Sequence, residues 1–437
     1  MKSIKRIIAL ALATSTIGLS LVGCGGSMSG DSSVSKLDPA NPTKITFYSY
    51  SLGYPSMKAG MEHIIKEFND TIGKEKGVIV EGIADDMTKF KTEIQAGNQV
   101  DIIQHPFGTL DESKEALGIK AYEDIFPKDE LEEHFKGISE NALNLGKIDD
   151  KTYGLAFTFS TPILYINGKL FEEAGLDPNT PPTTWDEMLT CAKKIKEKTG
   201  KDGFGLAADN GWVTEGLIYS NGGEVLSNDR KEAVFASDNT VEAFNKWKEF
   251  YSSGVAALGI DSEVMQQFMA GNLGMHIQST SMLSGFSGAA KAAGWELYGA
   301  AMPGFKGKES VPVNSGSCLA VRGDSEVKNQ AIWEFIKFAT GDRGYTIITS
   351  EIGYLPLRTY LAEDENYLKS FVDNTPLLKV NLEQLERIKP VTIWPSDVAT
   401  EAFAIFRDAT VKAITTNSDV KAVMQEAEDS INKLMGN

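Results

Sequence analysis

The sequence has few of the residues from which metal sites and nucleophilic catalytic sites are built. It contains three cysteines and four histidines in 437 residues, and the histidines are scattered at positions 63, 105, 134 and 276. No segment has the form H-E-x-x-H, C-x-x-C, G-x-S-x-G or G-x-x-x-x-G-K-[ST]. Asp and Glu are abundant but no pair is marked out, which leaves a glycosidase pair open. We therefore expect no enzymatic activity, no metal and no cofactor.

Positive charge is also scarce. Lys and Arg together number 43 against 60 Asp and Glu, and the formal net charge is -17. Loss of Lys2, Lys5 and Arg6 with an N-terminal leader lowers the charge to about -20. Such a surface repels phosphate backbones and argues against binding to nucleic acid, although strong acidity also simply favours solubility.

Long hydrophobic runs are missing as well, and the one apolar stretch near the start is too short to span a bilayer. This stretch, 7–19, follows a positive segment and ends at Leu21-Val22-Gly23-Cys24. The tetrapeptide resembles the lipobox of bacterial lipoproteins, which implies cleavage after residue 23 and attachment of diacylglycerol, with palmitate, to Cys24. Residues 24–42 then form a flexible tether. We expect a lipid-anchored protein on the outer face of the cell membrane; an uncleaved anchor and a plain secretory signal are the alternatives.

Two cysteines remain in the mature chain, Cys191 in a helical pattern and Cys318 in an apolar strand pattern. We expect both thiols to be buried and free, because a hydrophobic core of this size is stable without a disulfide bond. A disulfide between them stays open, since the protein works outside the cytoplasm.

What the sequence does contain is a regular alternation of strand-like and helix-like segments. Segments 44–49, 77–84 and 100–104 read as strands, and 57–72 and 87–96 as the helices between them. This order implies right-handed crossovers and a mainly parallel sheet with helices on both faces.

A second set of elements follows. Helical patterns cover 184–199, 241–251, 263–270, 327–340 and 420–434, and strand patterns cover 273–278 and 296–302. The first of these helices opens with capping-box spacing from Thr184 to Glu187 and stops at Gly200. The sequence therefore predicts an α/β protein in two lobes.

Aromatic and small polar residues lie at predicted strand ends and in loops. Among them are Tyr50, Trp212, Ser279, Tyr354 and Trp394. In open α/β sheets ligands bind at the carboxyl ends of the strands, and flat aromatic rings cover the apolar faces of sugars. Each aromatic residue taken alone is better explained by core packing, so that only their shared position favours a ligand site.

The segment from Lys151 to Trp185 resembles the signature region of the family 1 extracellular solute-binding proteins, which are capture subunits of ABC importers. It carries G-L-x-F, S-T-P, an apolar strand ending Y-x-N, F-x-x-A-G-L-D and P-P-x-T-W-D. Weaker family-like pieces are FMAGNLGMHIQST, AAMPGF, VNSGSCLAV and EIGYLPL. The nearest branch of the family is the one that binds glycerol 3-phosphate.

The resemblance implies a periplasmic-binding-protein-like fold with two α/β lobes, a multi-segment hinge and a ligand cleft between the lobes. It places crossings between lobes at the S-T-P motif, near 314–317, and after Tyr354. The implied lobes are 43–162 with 315–358, and 163–314 with 359–437.

The resemblance also implies ligand contacts. The glycerol-phosphate branch uses residues that match Ser160, Ser279, Gly316 and Tyr354 of this sequence. The remaining candidates are the neighbouring hydroxyl and residues at strand ends or in loops: Thr161, Tyr50, Asp86, Phe107, Trp212 and Trp394.

One departure from that branch concerns phosphate. The branch neutralises phosphate with a late arginine, whereas segment 389–403 has none and contains Trp394 instead. An aromatic ring there favours stacking on a neutral sugar.

We interpret the chain as a monomeric, non-catalytic receptor that delivers a carbohydrate, a short oligosaccharide, to an ABC permease. The first alternative is a receptor for glycerol 3-phosphate or a glycerophosphodiester. An extracellular carbohydrate-active enzyme and a surface adhesin are more distant alternatives.

Overall fold

The computed structural model describes residues 36–85, 88–395 and 398–436, and in this part of the chain strands and helices alternate. Its strands are β1 (Thr43–Ser49), β2 (Val78–Ala84), β3 (Ile102–Pro106), β4 (Lys147–Ile148), β5 (Lys151–Thr152), β6 (Gly154–Ser160), β7 (Pro162–Asn167), β8 (Asp202–Ala207), β9 (Ala256–Gly259), β10 (Leu273–Ser279), β11 (Leu297–Ala301) and β12 (Ser315–Val321). The fold is mixed α/β, as the sequence predicts.

The helices of the described residues follow, in chain order. They are α1 (Pro55–Asp70), α2 (Ile72–Lys76), α3 (Lys89–Gln95), α4 (Leu110–Ala116), α5 (Tyr122–Ile125), α6 (Lys128–Phe135), α7 (Glu140–Leu145), α8 (Gly168–Glu173), α9 (Trp185–Thr199), α10 (Gly211–Ser220), α11 (Asp238–Ser252), α12 (Asp261–Met269), α13 (Leu283–Ala293), α14 (Glu326–Ala339), α15 (Asp342–Ile347), α16 (Lys369–Asp373), α17 (Pro376–Gln384), α18 (Ala399–Thr415) and α19 (Val420–Leu434). None of them has the length and apolar character needed to cross a bilayer.

The first sheet has the strand order β2-β1-β3-β12-β6. Strand β1 pairs in parallel with β2 and β3, which confirms the predicted β-α-β-α-β unit. Strand β12 returns from a distant part of the chain and pairs antiparallel with both β3 and β6. The sheet is therefore mixed, with its parallel part contributed by the N-terminal segment.

The second sheet repeats this plan with the order β11-β7-β10-β8-β9. Strands β8, β9 and β10 are parallel, and β7 runs antiparallel to β10 and β11. Strand β7 is buried on both faces of the sheet. Its alternate side chains point to opposite faces and so enter different parts of the core. Leu164 and Ile166 enter the main core of this lobe, while Ile163 and Tyr165 enter a smaller cluster with Phe268 and Phe286.

Each sheet has its own hydrophobic core. In the first lobe Phe47, Phe68 and Phe335 pack together, with ring centroids 5.2–5.4 Å apart along the contacts to Phe335. In the second lobe Trp185 lies 5.9 Å from Trp247, in an edge-to-face contact. Two separate cores joined by a few crossing strands define the two lobes.

Helix ends follow the local signals in the sequence. The Thr184 hydroxyl accepts from the Glu187 N–H at 3.2 Å, and the Glu187 carboxylate accepts from the Thr184 N–H at 3.2 Å. This is the predicted capping box, and Gly200 ends the helix with φ of +72°, a conformation that favours glycine. The last helix is capped by Asp419, whose carboxylate accepts from the Ala422 N–H at 2.8 Å.

Both cysteines of the described chain are free, as predicted. Cys318 is fully buried in β12, and burial raises the pKa of its thiol to about 12. Cys191 is only half-buried, on the helix α9, so its predicted burial is partial.

The chain after residue 358 contributes to both cores. Leu361, Leu368 and Leu378 pack in the first core, whereas Trp394 and Phe406 pack in the second. The third and last crossing between the cores therefore lies between Leu378 and Trp394. The division of the chain into lobes at particular residues stays a prediction, and these contacts place part of 359–437 with the first lobe.

Candidate functional site

The motif Ser160-Thr161-Pro162 lies where the chain passes from the first sheet to the second. Strand β6 ends at Ser160, which pairs with Ser315, and strand β7 begins at Pro162, which pairs with Ser279. Proline is tolerated here because the first ladder has already ended and the second is just beginning. This position accounts for a proline in the middle of an apolar run.

A second crossing runs beside the first and reaches β12 through Asn314. Gly316 pairs with Phe159 in the first sheet and has φ of +137°. A Cβ atom at this residue would lie 2.0 Å from the Thr158 carbonyl oxygen, so only glycine fits. The glycine thereby keeps the two crossing strands in close contact.

A cavity of about 500 Å³ opens at these crossings. Its walls come from both lobes: Pro106, Phe107, Gly108 and Thr109 after β3; Gly211, Trp212 and Glu215 on α10; Asn314 and Gly316 at the second crossing; Val391, Thr392 and Trp394 at the third; and Ala399, Thr400 and Phe403 on α18. This volume lies in the range of sites that bury a small organic ligand.

Four aromatic side chains form most of the flat surface of this cavity. Phe107 and Trp394 are buried, and Trp394 also packs against Phe406, with ring centroids 6.2 Å apart. Trp212 is half-buried, and Phe403 is 42% exposed at the rim. Buried rings hold fixed positions, whereas the more open Trp212 and Phe403 present their faces to whatever enters.

Glu215 is the one ionisable side chain among the described residues that line this cavity. It is 3% exposed, and its Oε2 accepts from the Thr392 main-chain N–H at 2.8 Å. Burial raises the pKa of this carboxyl from 4.5 to about 7, against the opposing effect of the Thr392 hydrogen bonds. Thr392 is in turn 3.0 Å from the Tyr219 hydroxyl.

Asn314 is the second buried polar group of the cavity. Its main-chain N–H donates to the Lys389 carbonyl at 3.1 Å, which fixes the backbone. Its side-chain Nδ2 and Oδ1 are both buried without a hydrogen-bond partner in the described protein. A buried amide in this state is costly unless a ligand or water satisfies it.

Of the ten ligand contacts that the sequence predicts, the structure brings four together in the cavity. Phe107, Trp212, Gly316 and Trp394 line it. Trp212 lies in the first turn of helix α10, not in the loop that its turn-rich neighbours predict. The helix directs Glu215, three residues further on, toward the same space.

Five further predicted contacts lie outside this lining. Ser160 and Thr161 are buried at the first crossing, and Ser279 pairs its hydroxyl with that of Ser281 at 2.8 Å. Tyr50 makes an edge-to-face contact with Tyr54, and the Tyr354 hydroxyl donates to Met57 Sδ at 3.6 Å. Their role as ligand contacts stays a prediction. Asp86, and Cys24 with its predicted lipid, lie outside the described residues.

Thr161 has its own structural partners. Its hydroxyl donates to Asn381 Oδ1 and accepts from Gln384 Nε2, the second at 3.1 Å. Gln384 also donates to the Pro162 carbonyl at 3.2 Å and accepts from the Met302 N–H at 2.8 Å. Helix α17 therefore joins the first crossing to the chain just after β11.

No cluster of three or more His, Cys, Asp or Glu with metal-ligand geometry occurs among the described residues. None of the four histidines is among the described residues that line the cavity, and each contacts other protein groups. His105 contacts Ser113, His134 contacts Thr340, His276 contacts the Gly205 carbonyl, and His63 lies between Glu67 and Glu351.

Comparison with known proteins identifies the family. The model of the bacterial extracellular solute-binding proteins matches residues 63–377, which is most of the chain. The chain therefore belongs to this family of binding proteins, as its sequence motifs imply.

Curated relatives match over part of their length. The sn-glycerol-3-phosphate-binding periplasmic protein UgpB of Agrobacterium fabrum is 28% identical over 251 residues, covering 55% of this chain and 56% of that protein. A putative binding protein of Brucella abortus is 33% identical over 159 residues, covering 34% of this chain and 37% of that protein. The chain thus spans about half the length, or less, of these relatives.

Solved structures share the fold over nearly the whole chain. The cyclic alpha-maltosyl-1,6-maltose binding protein of Arthrobacter globiformis has a TM-score of 0.77 and 21% identity, covering 90% of this chain and 99% of that one. UgpB of Mycobacterium tuberculosis, solved with glycerophosphocholine, has a TM-score of 0.76 and 19% identity, covering 90% and 98%. The fold is accordingly that of two-lobed, periplasmic-type solute-binding proteins.

Proposed function

We propose that this solute-binding protein captures a neutral carbohydrate, a short oligosaccharide, and delivers it to an ABC permease. The observation that carries the proposal is the cavity at the three crossings, which combines flat aromatic faces with two buried, hydrogen-bonding side chains. Trp212 and Trp394 suit the apolar faces of sugar rings, and Glu215 and Asn314 suit their hydroxyls. Such a combination is typical of a site that fixes the orientation of a polyhydroxylated ligand.

The charge of the cavity supports a neutral ligand. No Lys or Arg occurs among the described residues that line it, and Glu215 contributes the one ionisable group. A phosphate is normally held by Arg, Lys or several N–H donors, and a buried carboxylate beside it would repel it. The net charge of the chain, -17, adds to the repulsion.

The alternative is a receptor for glycerol 3-phosphate or a glycerophosphodiester. It is favoured by the relative from Agrobacterium fabrum, a glycerol-3-phosphate-binding protein, and by the glycerophosphocholine bound in the Mycobacterium tuberculosis structure. The structural neighbour from Arthrobacter globiformis, whose name states an oligosaccharide ligand, favours the carbohydrate instead. The two alternatives differ in whether the cavity must supply a cation.

The proposal includes no catalytic step. Glycoside hydrolysis normally uses two carboxyl groups on either side of the bond that is cleaved. Among the described residues that line the cavity, Glu215 is the single carboxyl group, which supports a receptor over a carbohydrate-active enzyme.

Ligand binding is proposed to favour a closed arrangement of the lobes. The cavity walls come from both lobes, so that only a closed form contacts the ligand from both sides. A permease can then distinguish loaded from empty receptor by the geometry of the lobes. The lipid on Cys24 would keep the receptor at the outer face of the membrane, where the permease is.

Titration against a panel of ligands tests the proposal. The panel contains neutral mono- to tetrasaccharides, glycerol 3-phosphate and glycerophosphocholine, with tryptophan fluorescence and calorimetry as readouts. We expect a neutral saccharide to bind the wild type, and Trp212→Ala to weaken it about tenfold or more through loss of a stacking face. The control is Tyr251→Ala, which removes an exposed ring of helix α11 that does not line the cavity.

Two results would contradict the proposal. One is tight binding of glycerol 3-phosphate or glycerophosphocholine without binding of any neutral saccharide. The other is equal affinity of the wild type and Trp212→Ala for the saccharide that binds, which would place the site elsewhere.

A further inference from the structure

A second cavity, of about 290 Å³, adjoins the one described above. The two have three wall residues in common, Phe107, Asn314 and Val391. A ligand that fills the first cavity therefore has a neighbouring space into which it can continue. The other walls of the second cavity come from Asn141, Asn144, Leu145, Lys147, Ile388, Pro390 and Ile393.

One side of the second cavity is polar. Asn141 and Asn144 lie three residues apart on helix α7 and so share a face of it, and Lys147 follows in strand β4. The Lys147 ammonium donates to Asn144 Oδ1 at 2.9 Å, which leaves the Asn144 amide N–H groups free to donate. All three side chains are exposed, and together they present mainly hydrogen-bond donors.

Another part of the lining is apolar. Ile388, Pro390 and Ile393 come from the third crossing, which is held in place by hydrogen bonds to other elements. Lys389 N–H donates to the Pro312 carbonyl at 3.0 Å, and the Ile393 carbonyl accepts from the Arg230 guanidinium at 2.8 Å. A lining that combines polar and apolar residues suits a sugar ring, which has hydroxyls at its edge and C–H groups on its face.

Asn314 stands at the boundary between the two cavities. It is 1% exposed, and its side-chain amide and carbonyl are without a partner in the described protein. A group that bridges the two cavities could both donate to and accept from this amide, as a sugar hydroxyl or a glycosidic oxygen with a neighbouring hydroxyl does. As a wall residue of both cavities, Asn314 lies where a ligand that continues from one to the other would pass.

We propose that the ligand is an oligosaccharide of at least two rings, with one ring in the aromatic cavity and the next in the second cavity. The second ring contacts Asn141, Asn144 and Lys147, and the junction of the two rings lies beside Asn314. This inference rests on the proposed function, and it adds a place for the second ring and a set of residues that determine the length of the ligand that binds. A monosaccharide or glycerol 3-phosphate would fill only one of the two spaces.

The test measures affinity as a function of chain length. Wild type and the double variant Asn141→Ala/Asn144→Ala are titrated by calorimetry with ladders of one to four rings from gluco-, galacto-, manno- and xylo-oligosaccharides in α and β linkage. Alanine keeps helix α7 intact, since it is the best helix former. The matched control is Glu140→Ala, an exposed residue of the same helix that lines neither cavity.

We expect the wild type to bind the two-ring member of one ladder at least tenfold more tightly than its monosaccharide. The double variant should lose most of this gain while its affinity for the monosaccharide stays unchanged, and Glu140→Ala should behave as wild type. If the two-ring member binds and the monosaccharide shows no detectable binding, the result also supports the inference, with a larger gain in affinity from the second ring. Trp212→Ala, in contrast, should weaken every member that binds.

Other results overturn the inference in distinguishable ways. Equal affinity for one ring and two rings in the wild type, or a gain that survives in the double variant, refutes the two-ring ligand but leaves the proposed carbohydrate receptor in place. If glycerol 3-phosphate or glycerophosphocholine binds and no saccharide of any ladder binds, both the two-ring ligand and the proposed carbohydrate receptor are refuted.

Discussion

Glu215 is the residue whose surroundings differ most from those of an ordinary surface carboxyl group. It lies in the wall of the cavity at 3% exposure, and no cation among the described lining residues compensates it. Burial disfavours the charged form, which is why the pKa rises to about 7 despite the Thr392 N–H. In the ligand-free protein this carboxyl is therefore partly protonated at neutral pH.

The stability of the ligand-free protein should depend on the protonation of Glu215. Its pKa is about 7 when folded and near 4.5 when unfolded, so the folded state binds more protons between these values. The contribution of this group to the free energy of unfolding is complete below about pH 4.5 and is lost as the pH rises to about 7. The whole change is about 3 kcal/mol, at 1.36 kcal/mol for each pKa unit.

The variant Glu215→Gln tests this dependence. Because glutamine carries no charge and its oxygen can still accept from the Thr392 N–H, the variant should match the wild type at pH 4 and be more stable by about 3 kcal/mol at pH 8. Urea unfolding between pH 4 and 8 measures the difference, with Glu140→Gln as an exposed control. A difference that does not change with pH would mean that the pKa of Glu215 is the same in the folded protein as in the unfolded chain.

At the scale of residues the sequence predicts part of the cavity. Trp212 and Trp394 follow from their place at predicted strand ends and loops, and Phe107 and Gly316 from the resemblance to the glycerol-phosphate branch. Glu215 does not follow, because its approach to the cavity depends on a helix that the turn-rich residues before it conceal.

For the buried hydroxyls the sequence predicts the position in the chain but not the hydrogen-bond partners. Ser160 and Thr161 are in the predicted crossing, yet the partners of Thr161 come from residues more than two hundred positions further along the chain. Local sequence carries no signal for a contact of this range, so a structural role could not be separated from a ligand contact.

Helix α17 joins the first crossing to the second lobe through the side chain of Gln384. Its Gln384 is fully buried and uses both ends of its amide. The Nε2 atom donates to Thr161 and to the Pro162 carbonyl at the first crossing, and the Oε1 atom accepts from Met302 after β11. These bonds fix the crossing against a strand end of the second lobe, close to the point about which the lobes would move.

Removal of this amide should destabilise the protein. We expect Gln384→Leu to lower the free energy of unfolding by about 3 kcal/mol, because buried groups on Thr161, Pro162 and Met302 lose their partner. Thr161→Val should cost about 1 kcal/mol, and the double variant less than the sum, since the two side chains share a hydrogen bond. Chemical unfolding measures all three, with the exposed Glu383→Ala on the same helix as the control.

The outcome that contradicts this account is strict additivity of Gln384→Leu and Thr161→Val. It would mean that the two side chains do not act on one another and that the crossing is held by its strands alone.

Elements with strong local signals are predictable from the sequence. The capping box at Thr184, the glycine stop at Gly200 and the apolar stripe of the last helix place helices α9 and α19 to within a residue or two. The antiparallel strand β12 is less predictable, because its neighbours β3 and β6 are distant in the chain and periodicity does not specify strand order. The segment 359–388 forms several short helices without a clear apolar period, so its packing in the first core does not follow from the sequence.

At the scale of the whole molecule the chain belongs to a two-lobed family of extracellular solute-binding proteins. Attachment to the membrane through the lipobox-like segment stays a prediction from the sequence. We expect Cys24→Ser to move the protein from the membrane fraction into the soluble fraction, because one lipidated cysteine is the proposed attachment. Fractionation with detergent extraction measures this, and Cys191→Ser, which alters a half-buried thiol of helix α9, is the control. Equal membrane association of wild type and Cys24→Ser would contradict the anchor.

The central claim, a receptor for a neutral oligosaccharide held against Trp212, is tested most directly by mass spectrometry of the small molecules released when freshly purified protein is denatured. We predict a neutral saccharide of two or more rings, near one molecule per chain from the wild type and much less from Trp212→Ala purified in parallel. Release of a glycerophosphodiester or glycerol 3-phosphate in its place, or the same amount of saccharide from both proteins, would contradict the claim.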